Sequence, residues 1–180
     1  MVVTNFAGFY RYRLGDVVKV VSYYNKTPVI EFMYRKGQLL NLAGEKTSES
    51  AVKQAIKETL KTWDLDLEDY TVKQDLERPI GRYQFYIEVN NLNSLTSGSG
   101  EIRDELENSL AEANPRYRVG LENKRIAPLT VYFVKQGTFQ TIRTELVKRG
   151  ASLNQVKMPR LVRNQALIDI LDQNMLIQES

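Results

Sequence analysis

Three stretches of the sequence could do chemistry: "FYRYRLGD" near the start, "SGSG" in the middle and "NQVKMPR", with Lys157, near the end. There is no histidine and no cysteine anywhere in the chain. That removes the commonest general base, the commonest transition-metal ligand and any thiolate nucleophile or disulfide, and leaves Asp, Glu, Lys, Arg and Tyr for acid–base and electrostatic work. "FYRYRLGD" is a basic, aromatic strand end. Such a cluster either grips a nucleic-acid backbone or packs surface arginines over tyrosine rings. "SGSG" invites a phosphate-loop reading, but no Gly-Lys-Ser/Thr follows it and no apolar strand runs directly into it, so linker plus helix cap accounts for it better. Taken alone, Lys157 is a loop lysine.

Composition narrows the class further. The 180 residues are 42% hydrophobic and 26% charged, the make-up of a globular protein with room for one good core or a modest domain plus a fragment. The longest apolar runs fall far short of the roughly 20 residues that a membrane span needs. No signal core is present, and the absence of cysteine is compatible with the cytoplasm; no membrane partner is expected. The net charge of +3 and pI near 9.0 arise from 25 basic residues dispersed among 22 acidic ones. Without a basic tract, charge alone supports a nucleotide rather than a nucleic acid as the anionic partner.

The elements that must position these stretches follow from periodicity. Residues 2–35 read as strands, "VVTNF", "DVVKVVSYY" and "VIEFMYR", the last following the turn signal "NKTP". A break at Lys36 and Gly37 leads to a strand in "QLLNLAG". Val52, Ile56, Leu60 and Trp63 then recur at helical spacing over 49–63. "DYTVKQDL" and "RYQFYIEV" read as paired strands, and 101–113 as a helix stopped by Asn114 and Pro115. "LTVYFV" reads as a strand, "GTFQTIRTELVKRG" as a helix ended at Gly150, and "NQALIDILDQ" as a final helix. The fold class is therefore α/β (α+β): a mixed sheet of about four strands flanked by helices, preceded by a small antiparallel β segment. That segment is too small to cover its own apolar residues, so the chain is expected to open on a cut strand, with apolar "VVTNF" free to pair between copies.

Several stretches occur together and in order: "FAGFYRYRLGDVVKV", "YYNKTP", "YRKG", "GEKTSE" and "GTFQTIRTELVKRGASLNQVKMPR". Together they resemble the C-terminal portion of the auxin-responsive acyl-acid amido synthetases, the Gretchen Hagen family of the acyl-adenylate-forming ligase superfamily. The resemblance covers essentially the whole chain. It implies a ligase that adenylates a carboxylic acid with ATP and Mg2+ and passes the acyl group to an amino acid, forming an amide.

Carried over by motif, the resemblance implies that Asp16 of "YRYRLGD" accepts hydrogen bonds from the ribose hydroxyls, and that Arg35 of "YRKG" lies near the ribose and phosphate. It implies that Lys46 of "GEKTSE" serves the nucleotide site. Lys157 is similar to the superfamily's late lysine, which neutralises charge on the reacting oxygens during adenylation. Residues 1–35 would then end an N-terminal adenylate-forming domain, 36–40 would form a hinge around Lys36 and Gly37, and 41–180 a mobile C-terminal domain. Tyr24 and Val156 depart from the plant pattern, so the identities of the acid and the amino acid do not carry over. The expected partner is the missing N-terminal domain with its Ser/Thr/Gly-rich loop, and the chain alone is expected to be inactive. The rival reading is a stand-alone basic module binding nucleic acid or protein.

Overall fold

In the computed structural model, which describes all residues except 36–39, 92–98, 151–155 and 180, the opening residues fold back on themselves. Strand β1 (Val2–Val3) pairs antiparallel with β2 (Tyr12–Arg13). The loop between them is closed by side chains that stand in for ladder bonds: Asn5 Oδ1 accepts from the backbone N–H groups of Ala7 and Phe9, and Thr4 Oγ1 accepts from that of Arg11. Phe9 and Tyr12 stack at 4.9 Å. Strands β3 (Asp16–Tyr24) and β4 (Thr27–Arg35) form a second antiparallel ribbon, turning at Asn25, whose φ of 53° is one that asparagine tolerates.

These residues belong to the first of two units, Met1–Leu39, the second being Leu40–Ser180. The ribbon leaves Val20, Val21, Tyr23, Ile30 and Phe32 between 44% and 69% exposed. Two strands alone cannot bury both of their faces, which is why apolar residues at alternating positions remain in solvent here.

The second unit is built on a five-stranded mixed sheet with order β8-β5-β6-β7-β9. Strands β5 (Leu67–Asp75) and β6 (Arg82–Val89) make an antiparallel pair, β7 (Thr130–Val134) lies parallel to β6, and β8 (Leu161–Val162) lies parallel to β5. Strand β9 (Met175–Glu179) closes the far edge antiparallel to β7. Period-two alternation divides the strands between two cores. Tyr83, Phe85, Ile87, Val131 and Phe133 join the core beneath α1 (Glu49–Thr62), α2 (Ser99–Ala113) and α3 (Pro115–Glu122). Tyr86, Tyr132 and Val134 face the opposite way, into a core with α4 (Thr138–Lys148) and α5 (Gln165–Gln173). The α/β (α+β) class and the flanking helices agree with the sequence reading.

Three local expectations are corrected. "QLLNLAG" does not form a strand; among its described residues only Leu40 makes a bridge, to Thr47, and the rest turns around a buried carboxylate. Asn114 and Pro115 do not simply stop α2 but start α3, because Asn114 caps its first turn and proline at N1 needs no N–H partner. The sheet has five strands rather than four because β8 is only two residues long and β9 follows α5 directly. "SGSG" contributes its last two residues to the start of α2. Among the described residues, no helix is long and apolar enough to cross a membrane.

Buried phenols give the fold an alkaline limit. Burial pushes the Tyr70 hydroxyl up from 10.0 to about 12; the Arg160 cation opposes this, and Glu49 and Asp69 add to it. Tyr86 and Tyr117 are pushed higher, first by burial and then by the carboxylates of Asp172 and Glu107, to which they donate. A phenol whose pKa is raised on folding contributes stability that is fully present below pH 10 and is lost as pH rises through the folded value. We therefore expect the midpoint of thermal unfolding to fall steeply from pH 10 upward, with tyrosinate absorbance and loss of far-UV ellipticity changing together. Ionisation of every tyrosine with the ellipticity intact would contradict this.

Candidate functional site

In the first unit, Gly15 adopts φ 80°, a left-handed conformation open to glycine, and turns the chain so that Asp16 begins β3. Asp16 is 9% exposed, and its backbone carbonyl accepts from the Met1 ammonium. In the strand register Asp16 lies directly opposite Arg35, the last residue of β4. Two residues some 20 positions apart in sequence are thus cross-strand neighbours, with backbones about 5 Å apart in such a pair. An acceptor-only carboxylate such as that of Asp16 suits a diol, whose hydroxyls donate. Lys36 and Gly37, the expected hinge, lie outside the described residues.

Lys46 lies in the second unit, on a loop organised by the residue before it. Glu45 is 3% exposed; its two carboxylate oxygens accept from the N–H groups of Leu42 and Ala43 at 2.8 Å each, and Tyr83 donates its hydroxyl to the same group. Asn114 donates to the Glu45 carbonyl at 3.2 Å and to Thr47 Oγ1 at 2.7 Å. Lys46 itself takes φ 50°, with its N–H on Asn41 Oδ1 at 3.3 Å, and its side chain is exposed. The loop also borders a groove of about 310 Å³ beside Gly44, Arg116, Val119 and Arg125.

Lys157 is exposed, and its ammonium pairs with no carboxylate among the described residues. The residues after it are held firmly. Met158 is buried, 5% exposed, in the core beneath α4 and α5. Thr71 Oγ1 donates to the Pro159 carbonyl at 2.6 Å, and the Val72 N–H donates to the Arg160 carbonyl at 3.0 Å, so β5 grips this backbone twice. The Arg160 guanidinium then folds back over the Tyr70 ring, 4.4 Å from its centre, and donates to the Asp69 carboxylate and, at 2.8 Å, to the Tyr70 carbonyl. Asp69 is 6% exposed and also receives Arg143 from α4 on its other oxygen.

Magnitudes show why the arginine is needed. Burying one methionine stabilises by about 1.5–3 kcal/mol. Fixing the backbone of three or four residues costs roughly 1–2 kcal/mol each. Met158 alone does not cover that cost, whereas hydrogen bonds to a charged group add about 1.5–3 kcal/mol apiece.

No described contact joins Lys46 to Lys157; the segments that carry them approach each other at Arg160. Arg160 Nε lies 3.8 Å from Glu49, the first residue of α1, which follows the Lys46 loop directly. Sequence reasoning missed Asp69, Arg160 and Glu45. The available signals were a charged residue inside the strand pattern "DYTVKQDL" and a second basic residue closing "KMPR". Among the described residues, no group of three or more carboxylates stands where it could hold a metal ion.

Comparison with known proteins finds relatives over nearly the full chain. The profile of the GH3 family C-terminal domain matches residues 49–166, and that of the GH3 family central domain matches residues 1–35. A 4-substituted benzoates-glutamate ligase of Arabidopsis thaliana is 32% identical over 184 residues, covering 95% of this chain and 32% of that protein. An indole-3-acetic acid-amido synthetase of the same plant is 34% identical, covering 96% of this chain and 29% of that protein. A GH3 domain-containing protein of Mus musculus is 32% identical, covering 98% and 34%. A solved acyl acid amido synthetase superposes with a TM-score of 0.80 at 32% identity, covering 99% of this chain and 33% of that one. The chain thus spans about a third of the length of the relatives it matches. Since the C-terminal domain profile alone takes in well over half of its residues, this chain belongs to the GH3 family.

Proposed function

We propose that this chain is the C-terminal part of an ATP-dependent acyl acid amido synthetase. The observation that carries the reading is its likeness, over 99% of its length, to a solved acyl acid amido synthetase. In the proposed reaction a carboxylate oxygen attacks the α-phosphorus of ATP, the bond to the bridging oxygen breaks and pyrophosphate leaves. An amino-acid amine then attacks the acyl carbon, AMP departs with the former carboxylate oxygen, and the amine loses a proton. Adenylation is needed because a free carboxylate is anionic and lacks a leaving group.

The chain's own residues divide the work. Asp16 accepts from the ribose hydroxyls and Arg35 binds near the ribose and phosphate, a division that the register of β3 and β4 favours. Lys46 serves the nucleotide, and Lys157 neutralises charge on the reacting oxygens, where a compact ammonium on a flexible stem is well suited. Residues 1–35 belong to the larger domain, 36–40 serve as the hinge and 41–180 move as a body. ATP, accompanied by Mg2+, is a substrate rather than a resident group, and the setting is cytoplasmic. The exposed apolar residues of β3 and β4 fit a segment that the rest of a threefold longer protein covers. Separated from that protein, they are the edge through which copies of this chain would associate.

The test is ATP–pyrophosphate exchange dependent on added carboxylic acid. The longer protein carrying this chain is expected to catalyse exchange, and the 180 residues alone are expected not to. Exchange by the 180 residues alone, or none by the longer protein with any of a panel of aryl and alkyl acids, would overturn the proposal.

A further inference from the structure

We infer that Arg160 is a positioning residue for Lys157, fixing the backbone from which the lysine extends; this rests on the adenylating role proposed for Lys157. The two are three residues apart, and everything between them is tied down. Met158 is buried, the carbonyls of Pro159 and Arg160 accept from Thr71 and Val72, and one guanidinium nitrogen of Arg160, Nη1, donates to both the Asp69 carboxylate and the Tyr70 carbonyl. The ring of Tyr70 lies under the guanidinium, and Glu49 lies 3.8 Å from its Nε. One side chain therefore joins β5, the start of α1 and the Lys157 segment, while the lysine's own ammonium stays in solvent. The arrangement combines a rigid origin with a mobile tip. A charge must reach the reacting oxygens within a fraction of an ångström, and a misplaced origin propagates into a misplaced tip.

Arg143 supplies an internal control. It bonds the other oxygen of the same Asp69 carboxylate, but it comes from α4, and no described hydrogen bond or ion pair joins it to residues 157–160. Losing either arginine removes one partner from a buried carboxylate. Only the loss of Arg160 releases the segment that carries the lysine.

The experiment compares Arg160→Ala, Arg160→Lys and Arg143→Ala by the thermal unfolding midpoint and two further readouts. The first, on the 180-residue chain, is hydrogen exchange at the Val72 amide, which bonds the Arg160 carbonyl. The second, on the longer enzyme, is kcat and KM for ATP in acid-dependent pyrophosphate exchange. Arg160→Ala is expected to speed Val72 exchange by about tenfold and to lower kcat by about ten- to a hundredfold, with KM for ATP changing by less than about threefold. Arg160→Lys keeps the charge but has a single nitrogen where arginine reaches Asp69 and Tyr70 through Nη1 and Glu49 through Nε, so it is expected to restore the thermal midpoint but not kcat. Arg143→Ala is expected to lower the midpoint while moving Val72 exchange and kcat by less than about threefold. Equal kcat losses in Arg160→Ala and Arg143→Ala, or unchanged Val72 exchange in Arg160→Ala, would overturn the inference. Should Lys157→Ala adenylate at the full rate, the lysine's catalytic role falls, and the Val72 comparison alone decides whether Arg160 holds the segment.

Discussion

Lys157→Ala in the longer enzyme is expected to slow acyl-adenylate formation by about 10²- to 10³-fold, with amide formation from added acyl adenylate left within about threefold. The size follows from the chemistry of the step. As the carboxylate approaches the α-phosphorus, negative charge gathers on oxygens already crowded with it, and a fixed positive group there is worth roughly 2.7–4 kcal/mol in the transition state. Once pyrophosphate has left, the extra charge of the five-coordinate phosphorus is relieved and the acyl adenylate keeps a single phosphate charge, so under the proposed role the second half-reaction draws little on the lysine. Structural damage would look different. The side chain is exposed and makes no ion pair among the described residues, so its truncation should leave the unfolding midpoint within about 1 °C. Rapid quench of each half-reaction, alongside calorimetry, separates these outcomes. Equal slowing of both half-reactions would assign Lys157 to general architecture instead.

Local patterns in the sequence specified most of the fold. Tyr83, Phe85, Ile87 and Val89 alternate because one sheet face meets the core under α1 and α2, and α1 is legible because Val52, Ile56 and Leu60 share one stripe. Proline misled at residue 115, since the same residue that ends one helix is well placed to begin the next. The apolar look of "QLLNLAG" suggested a strand, but Glu45, reaching back to two N–H groups, decided the outcome. Most of the candidate site was illegible for a related reason. Asp69 meets Arg143 across 74 positions and Arg160 across 91, and no window of neighbouring residues contains such a pair. Lys157 was singled out only through its motif, because an exposed loop lysine carries no periodic signal. Asp16 and Arg35 lie between these cases: a hairpin with a clear turn at Asn25 fixes their pairing once its register is known.

Glu88→Ala is expected to cost about 3 kcal/mol and to lower the unfolding midpoint of the chain by roughly 6–12 °C. The reason lies at the start of α4. Its N-cap is Gly137, at φ 86° and without a side chain, so no capping side chain can accept from the first amides of the helix, and the Lys135 carbonyl takes only that of Thr138, at 3.1 Å. Glu88, 2% exposed at the end of β6, supplies the missing cap from another element. Its oxygens take the N–H groups of Gly137 at 2.6 Å and Phe139 at 2.9 Å, and its charge lies at the positive end of the helix dipole. Alanine would leave those donors without an acceptor, one of them on Phe139, whose ring is fully buried. Glutamine is the sharper test. It has nearly the same shape, yet one of its two terminal atoms is a donor facing a donor, so it should recover only part of the loss, to about 2 kcal/mol. A glutamine variant as stable as the parent would mean that shape, rather than acceptance by both oxygens, holds α4. Because α4 also carries Arg143 to Asp69, loosening its first turn should lower the unfolding midpoint well before it slows the proposed adenylation, since the Lys157 segment is anchored separately through β5.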